Sequence, residues 1–127
     1  MSKTYKYINL NYLNDFSEND ISFRKMMLQN IVNEIPPFIS DVEKLYQQQE
    51  WANLRVRIHK FIAVAPFAGI SSVLEIMRTA ELTTIEILEG NQDKEKLKLL
   101  QNYLNSCVEA FSNALSELEQ ELNTTNE

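Results

Sequence analysis

Apolar residues recur along this chain at three- and four-residue intervals, the spacing that lays one greasy stripe along a helix. A short segment from residue 8 to 16 holds Ile8, Tyr12, Leu13 and Phe16, enough for a small helix or turn that packs as a lid. Ser17 and Asp20 stand at the spacing of a capping box, so a longer helix is expected to start there. Its stripe is Ile21, Leu28, Ile31, Val32 and Ile35, resumed by Phe38, Ile39, Val42, Leu45 and Tyr46, with Pro36 and Pro37 between. Proline removes a backbone donor and crowds the preceding turn, which predicts a kinked long helix or a break near Glu34.

From Glu50 a third helical segment carries Trp51, Leu54, Ile58, Phe61, Ala65 and Ala68 on its inner side, with Pro66 bending its last turns and Gly69 ending it. Ser72 and Glu75 read as a second capping box opening a helix with the stripe Val73, Met77, Ala80, Thr84 and Ile87, which stops at Gly90 and Asn91. The last begins near Asp93 and runs through Leu97, Leu100, Leu104, Val108, Phe111, Leu115, Leu118 and Leu122. Four long amphipathic segments with short connections predict an all-α fold, an up-and-down four-helix bundle with a short additional N-terminal helix. Residues 1–7 and 123–127 are expected to be flexible tails of this single domain, 1–127.

Composition agrees with helix. Two glycines and three prolines in 127 residues are too few for the turns of an all-β domain, and 44% hydrophobic with 24% charged residues is ordinary globular usage. A net charge of −6 argues against a nucleic-acid surface and an anionic membrane. No apolar run spans a bilayer and the first residues lack a signal-peptide core, so a cytoplasmic protein is expected. Cys107, the single cysteine, sits on an apolar stripe and reads as an inert core thiol.

The chemistry-bearing candidate is the single histidine, His59. On a helical wheel it lies roughly 140° from the centre of the third segment's apolar side, so it should face solvent. Arg55, Ile62, Ala63 and Pro66, at i−4, i+3, i+4 and i+7, share its side. An imidazole among exposed apolar and small side chains suggests a docking patch that a partner covers. Arg55, Arg57 and Lys60 concentrate positive charge beside it in an acidic chain. A neutral imidazole is also a good nucleophile near pH 7. An exposed histidine with no task remains the plain alternative.

Around this residue the chain resembles the histidine phosphotransfer (HPt) family. In that family the phosphorylated His is followed by an aliphatic or aromatic residue two on, Lys three on, Gly or Ser four on, small residues and a Gly ten on. His59, Phe61, Ala65 and Gly69 match, and the stretch Ile8 to Phe23, the approach Glu50, Trp51 and Leu54, and the segment Glu75 to Glu81 are similar to the neighbouring family elements. The family's Lys is Ile62 here and its Gly is Ala63; Ile62 has no donor for a phosphoryl group, and Arg55 or Lys60 is expected to supply the charge.

The resemblance implies a phosphorelay intermediate that carries a phosphoryl group on His59 between receiver-domain aspartates of a hybrid sensor histidine kinase and a response regulator. It implies a stoichiometric carrier rather than an enzyme, with no cofactor or metal of its own, and a docking face of Arg55, Lys60, Ile62, Ala63 and Pro66. Glu75 and Glu81 read as a cap and a solvated or rim position, not as a general acid/base pair. The alternatives are a degenerate HPt-fold scaffold that docks on receiver domains without phosphotransfer, a plain helical interaction module pairing through its last helix, and, more distantly, a di-metal bundle enzyme.

Overall fold

A computed structural model describes residues 4–70 and 73–125. All regular structure in them is helical: α1 (Asn11–Ser17), α2 (Ile21–Gln47), α3 (Trp51–Ile62), α4 (Val73–Leu88) and α5 (Lys94–Thr125), with a 3₁₀ turn at Ala65–Ala68. The helices form a bundle in which α2 packs on α3 and α5 while α4 packs on the same two, and α1 and the 3₁₀ turn lie against α2. None is long and apolar enough to cross a membrane.

Helix boundaries follow from local chemistry. Asp20 caps α2 by accepting from the Phe23 N–H at 3.0 Å. Ser17 is not its partner in a capping box, contrary to expectation: it closes α1, donating its hydroxyl to the Leu13 carbonyl at 2.7 Å. Asp93 caps α5 through the Lys96 N–H at 2.7 Å. The ends of α2 and α4 are Schellman turns. In the first, Glu50 N–H donates to Leu45 O and Gln49 N–H to Tyr46 O, each at 3.0 Å, with Gln49 left-handed. In the second, Asn91 N–H donates to Glu86 O and Gly90 N–H to Ile87 O, both at 3.1 Å. The box expected at Ser72 lies outside the described residues.

Two prolines did not break α2, whereas one ended α3. Pro36 and Pro37 are exposed, and the missing hydrogen bonds fall on the outer side of α2. Each costs about 3 kcal/mol in a helix interior. Continuing the helix past them buries Phe38 and Val42, at roughly 1.5–3 kcal/mol each, and packs Ile39, Leu45 and Tyr46 against the core, on the stripe that Leu28, Ile31 and Ile35 set before the prolines. Packing wins. Pro66 lies four residues after Ile62, where its ring would clash with the Ile62 carbonyl, and only Ala68 remains to be buried before Gly69. α3 therefore stops at Ile62 and the chain tightens into the 3₁₀ turn, so the expected bent continuation through Ala68 does not form.

The core brings α2, α3 and α5 together through three rings. Phe38 stacks on Phe61 at 4.2 Å between centroids, and Phe111 meets them edge-on at 5.6 and 5.1 Å. The stripe Val73, Met77, Ala80, Thr84 and Ile87 of α4 is buried throughout. The Thr84 hydroxyl is satisfied by the Ala80 carbonyl at 2.7 Å. Cys107 is buried, and desolvation pushes its thiol up to about 12, so it stays protonated and unreactive.

The first described residues are not loose. Glu117 accepts from the backbone N–H groups of Lys6 and Tyr7, both at 2.8 Å, and of Ile8 at 3.2 Å. Tyr5 donates its hydroxyl to Glu121 at 2.7 Å; burial, then that bond, pushes the phenol up to about 12. At the other end, the polar residues from 123 continue α5 as far as Thr125. Two α5 carboxylates thus tie residues 5–8 to the bundle, within a stretch expected to be partly tail.

The strap also crosses Gly69, whose carbonyl accepts from Asn9 N–H at 2.9 Å. Gly69 has φ +64, and a Cβ there would stand 1.7 Å from Asn9 O, whereas Gly90, with φ +111, has open space around it. Gly90→Ala should cost only the backbone term of about 1–2 kcal/mol. Gly69→Ala should cost clearly more, because the Asn9 backbone must also move. Urea denaturation of the two variants orders them; equal losses would contradict the close approach.

Candidate functional site

Leu54, Ile58 and Phe61 turn the inner side of α3 into the core, each 2% exposed or less. Arg57 locks the rotation from one flank. Its Nε donates to Asp41 Oδ2 at 2.8 Å and its guanidinium lies over Phe38 and Phe61, at 5.3 and 5.9 Å from their centroids. This engagement with α2 takes Arg57 out of the cationic group expected around the histidine.

His59, one residue past Ile58, leaves the core on the α4 side with its side chain 64% exposed. Its Nδ1 lies 2.8 Å from Glu81 Oε2 on α4. The same oxygen is 3.2 Å from Arg55 Nε, one turn earlier on α3. The Arg55 N–H is buried and misaligned for a hydrogen bond, so this contact is ionic, while the side chain as a whole is 41% exposed. Glu81 is only 13% exposed: of the two places its sequence suggests, solvated or at the rim, it takes the rim, between α3 and α4.

This geometry sets the chemistry of the ring. An ionised carboxylate can only accept, so Nδ1 carries the proton that binds Glu81, and the lone pair of the neutral ring is left on Nε2. Nε2 has no partner among the described residues. The arrangement is a nucleophilic nitrogen presented outward, a ring held in orientation by a second side chain, and a guanidinium beside both.

The other expected members gather less closely. Lys60 and Ala63 are exposed, and Ala63 caps α3 with helical backbone angles. Ile62 is half-buried and packs against the core, so it offers less apolar surface than an exposed position would. Pro66 is half-buried in the 3₁₀ turn, beyond the end of α3, where helical spacing no longer assigns it to the side of His59. Sequence reasoning missed Glu81. The signal was there in Arg55 and His59: a cation and an imidazole four apart on one edge of α3 leave room for a carboxylate across the helix interface.

Spectroscopy of the ring tests this geometry. Long-range ¹H–¹⁵N spectra in alkaline buffer should show His59 protonated on Nδ1, and Glu81→Ala should return it to the Nε2–H form that free imidazole prefers. An Nε2–H ring in the parent protein would contradict the assignment. Comparison of the chain with models of known protein families, with characterised proteins and with solved structures finds no match.

Proposed function

We propose that this protein is a phosphorelay intermediate of the histidine phosphotransfer type, with His59 as phosphoacceptor and the four longer helices as its up-and-down bundle. The observation that carries the reading is the His59 to Glu81 contact, which leaves Nε2 without a partner among the described residues. The cytoplasm is the compartment in which such a carrier meets its partners: the receiver domains of a hybrid sensor histidine kinase and of a response regulator.

In the forward step the Nε2 lone pair attacks the phosphorus of a receiver's aspartyl phosphate. The bond between phosphorus and the aspartyl oxygen breaks, and the carboxylate leaves with the electron pair. The ring becomes a phosphorylated imidazolium, whose Nδ1–H remains on Glu81, and that carboxylate offsets the charge the ring has gained. In the second step the aspartate of the response regulator attacks the same phosphorus, the P–N bond breaks, and the ring regains its lone pair. The chain contributes a nucleophile and a surface, so it turns over only as a stoichiometric carrier.

Arg55 takes the role of the missing lysine. Glu81 holds its Nε side, and the side chain, still 41% exposed, keeps donors that a phosphoryl group can reach. Lys60, exposed on the adjoining position of α3, adds a second charge. The rival reading, a scaffold that docks without transfer, draws on Ile62, which has no donor for phosphate and is turned partly into the core.

Incubation with a phosphorylated receiver domain tests the proposal. Acid-labile label is expected on the parent protein and none on His59→Gln. The double change Arg55→Ala and Lys60→Ala should slow transfer about tenfold or more, in line with the loss of charge-assisted contacts to a phosphoryl group. Binding without label would support the scaffold instead, and neither binding nor label would remove the link to phosphorelays.

A further inference from the structure

α1 and the 3₁₀ turn carry an aromatic surface that the relay chemistry does not use. Tyr12 and Phe16, four apart on α1, are 49% and 52% exposed. Both rings rest edge-on against Phe67 of the 3₁₀ turn, at 5.1 and 5.0 Å between centroids. Phe16 also stacks on Phe23 of α2 at 5.8 Å. The four rings are thus preorganised by one another. Large aromatic side chains held rigid at half exposure are the groups that anchor protein interfaces, since little side-chain entropy is left to lose on binding.

The border of this surface is acidic. Asp15 lies beside Phe16 on the outer flank of α1, opposite the buried Leu13. Glu18 and Asp20 stand in the turn that joins α1 to α2, between Phe16 and Phe23 in the chain, and both are exposed. Among the described residues none of the three is in an ion pair. Apolar rings bordered by carboxylates that no cation neutralises fit one kind of covering element: a helix with an aliphatic ridge flanked by Lys or Arg.

We infer that the Tyr12, Phe16, Phe23 and Phe67 face is a docking site for a basic amphipathic helix of a partner protein. The inference does not depend on phosphotransfer at His59, because it uses other side chains and another chemistry. Charge complementarity sets it apart from self-association, in which two acidic borders would be brought together.

A pair of synthetic helical peptides tests it, one with leucines along one face and lysines along the other, and its counterpart with glutamates in place of lysines. The Leu/Lys peptide should bind and shift the amide resonances of residues 12–16 and 67. Tyr12→Ser with Phe16→Ser, surface changes expected to leave the circular dichroism spectrum intact, should weaken that binding by about tenfold or more, as for loss of two interface anchors. Asp15→Asn with Glu18→Gln should weaken it less and flatten its salt dependence. Equal binding of the Leu/Glu peptide, shifts confined to another face, or affinity unchanged in the ring variant would each overturn the inference. So would no binding at all, or sedimentation showing that the parent chain covers this face with a second copy.

Discussion

The rotation of α3 about its own axis is the constraint on which the candidate site depends. Burying Leu54, Ile58 and Phe61 leaves α3 one way to sit, because turning it by one residue would expose Ile58, drive His59 into its buried place and take Phe61 from its contacts with Phe38 and Phe111. Fully burying an aliphatic or aromatic side chain contributes roughly 1.5–3 kcal/mol, so three of them together outweigh any local preference of the ring. Arg57 adds a lock on the α2 side. The outward imidazole is therefore a consequence of what its neighbours bury.

With the axis fixed, α4 decides what the imidazole does. Its own stripe places Ala80 in the core, which sets Glu81 at the margin facing α3, within reach of both His59 and Arg55. A carboxylate there orders the ring at one nitrogen and leaves the other free, so orientation and reactivity are divided between the two nitrogens of one side chain. In the proposed relay this division does two things. It aims the nucleophile at an incoming protein, and it keeps a counter-charge beside the ring once the phosphoryl group has arrived.

Much of this was legible in the chain, and the misses share a cause. Periodicity alone marked Val73, Met77, Ala80, Thr84 and Ile87 as one buried face, and they are. It also gave the solvent side of α3, because a stripe defines its opposite. What it did not give were outcomes decided by contacts between segments. Pro36 and Pro37 look like breakers until the burial of Phe38 and Val42 is weighed against them, and Pro66 looks like a bend until the lack of further core residues is seen. Ser17 and Asp20 have capping-box spacing, yet Ser17 belongs to the preceding helix. Glu81 reads as solvated or at the rim because a wheel drawn for α4 alone cannot show that α3 covers that edge.

The division of labour between the two ring nitrogens can be read directly from the product. If the parent protein is phosphorylated on His59 and the phosphohistidine isomer is determined by ³¹P and ¹⁵N NMR, the phosphoryl group should be on Nε2, with Nδ1 still protonated. A phosphoryl group on Nδ1 would require the Glu81 contact to be broken first, and would contradict the account at its centre.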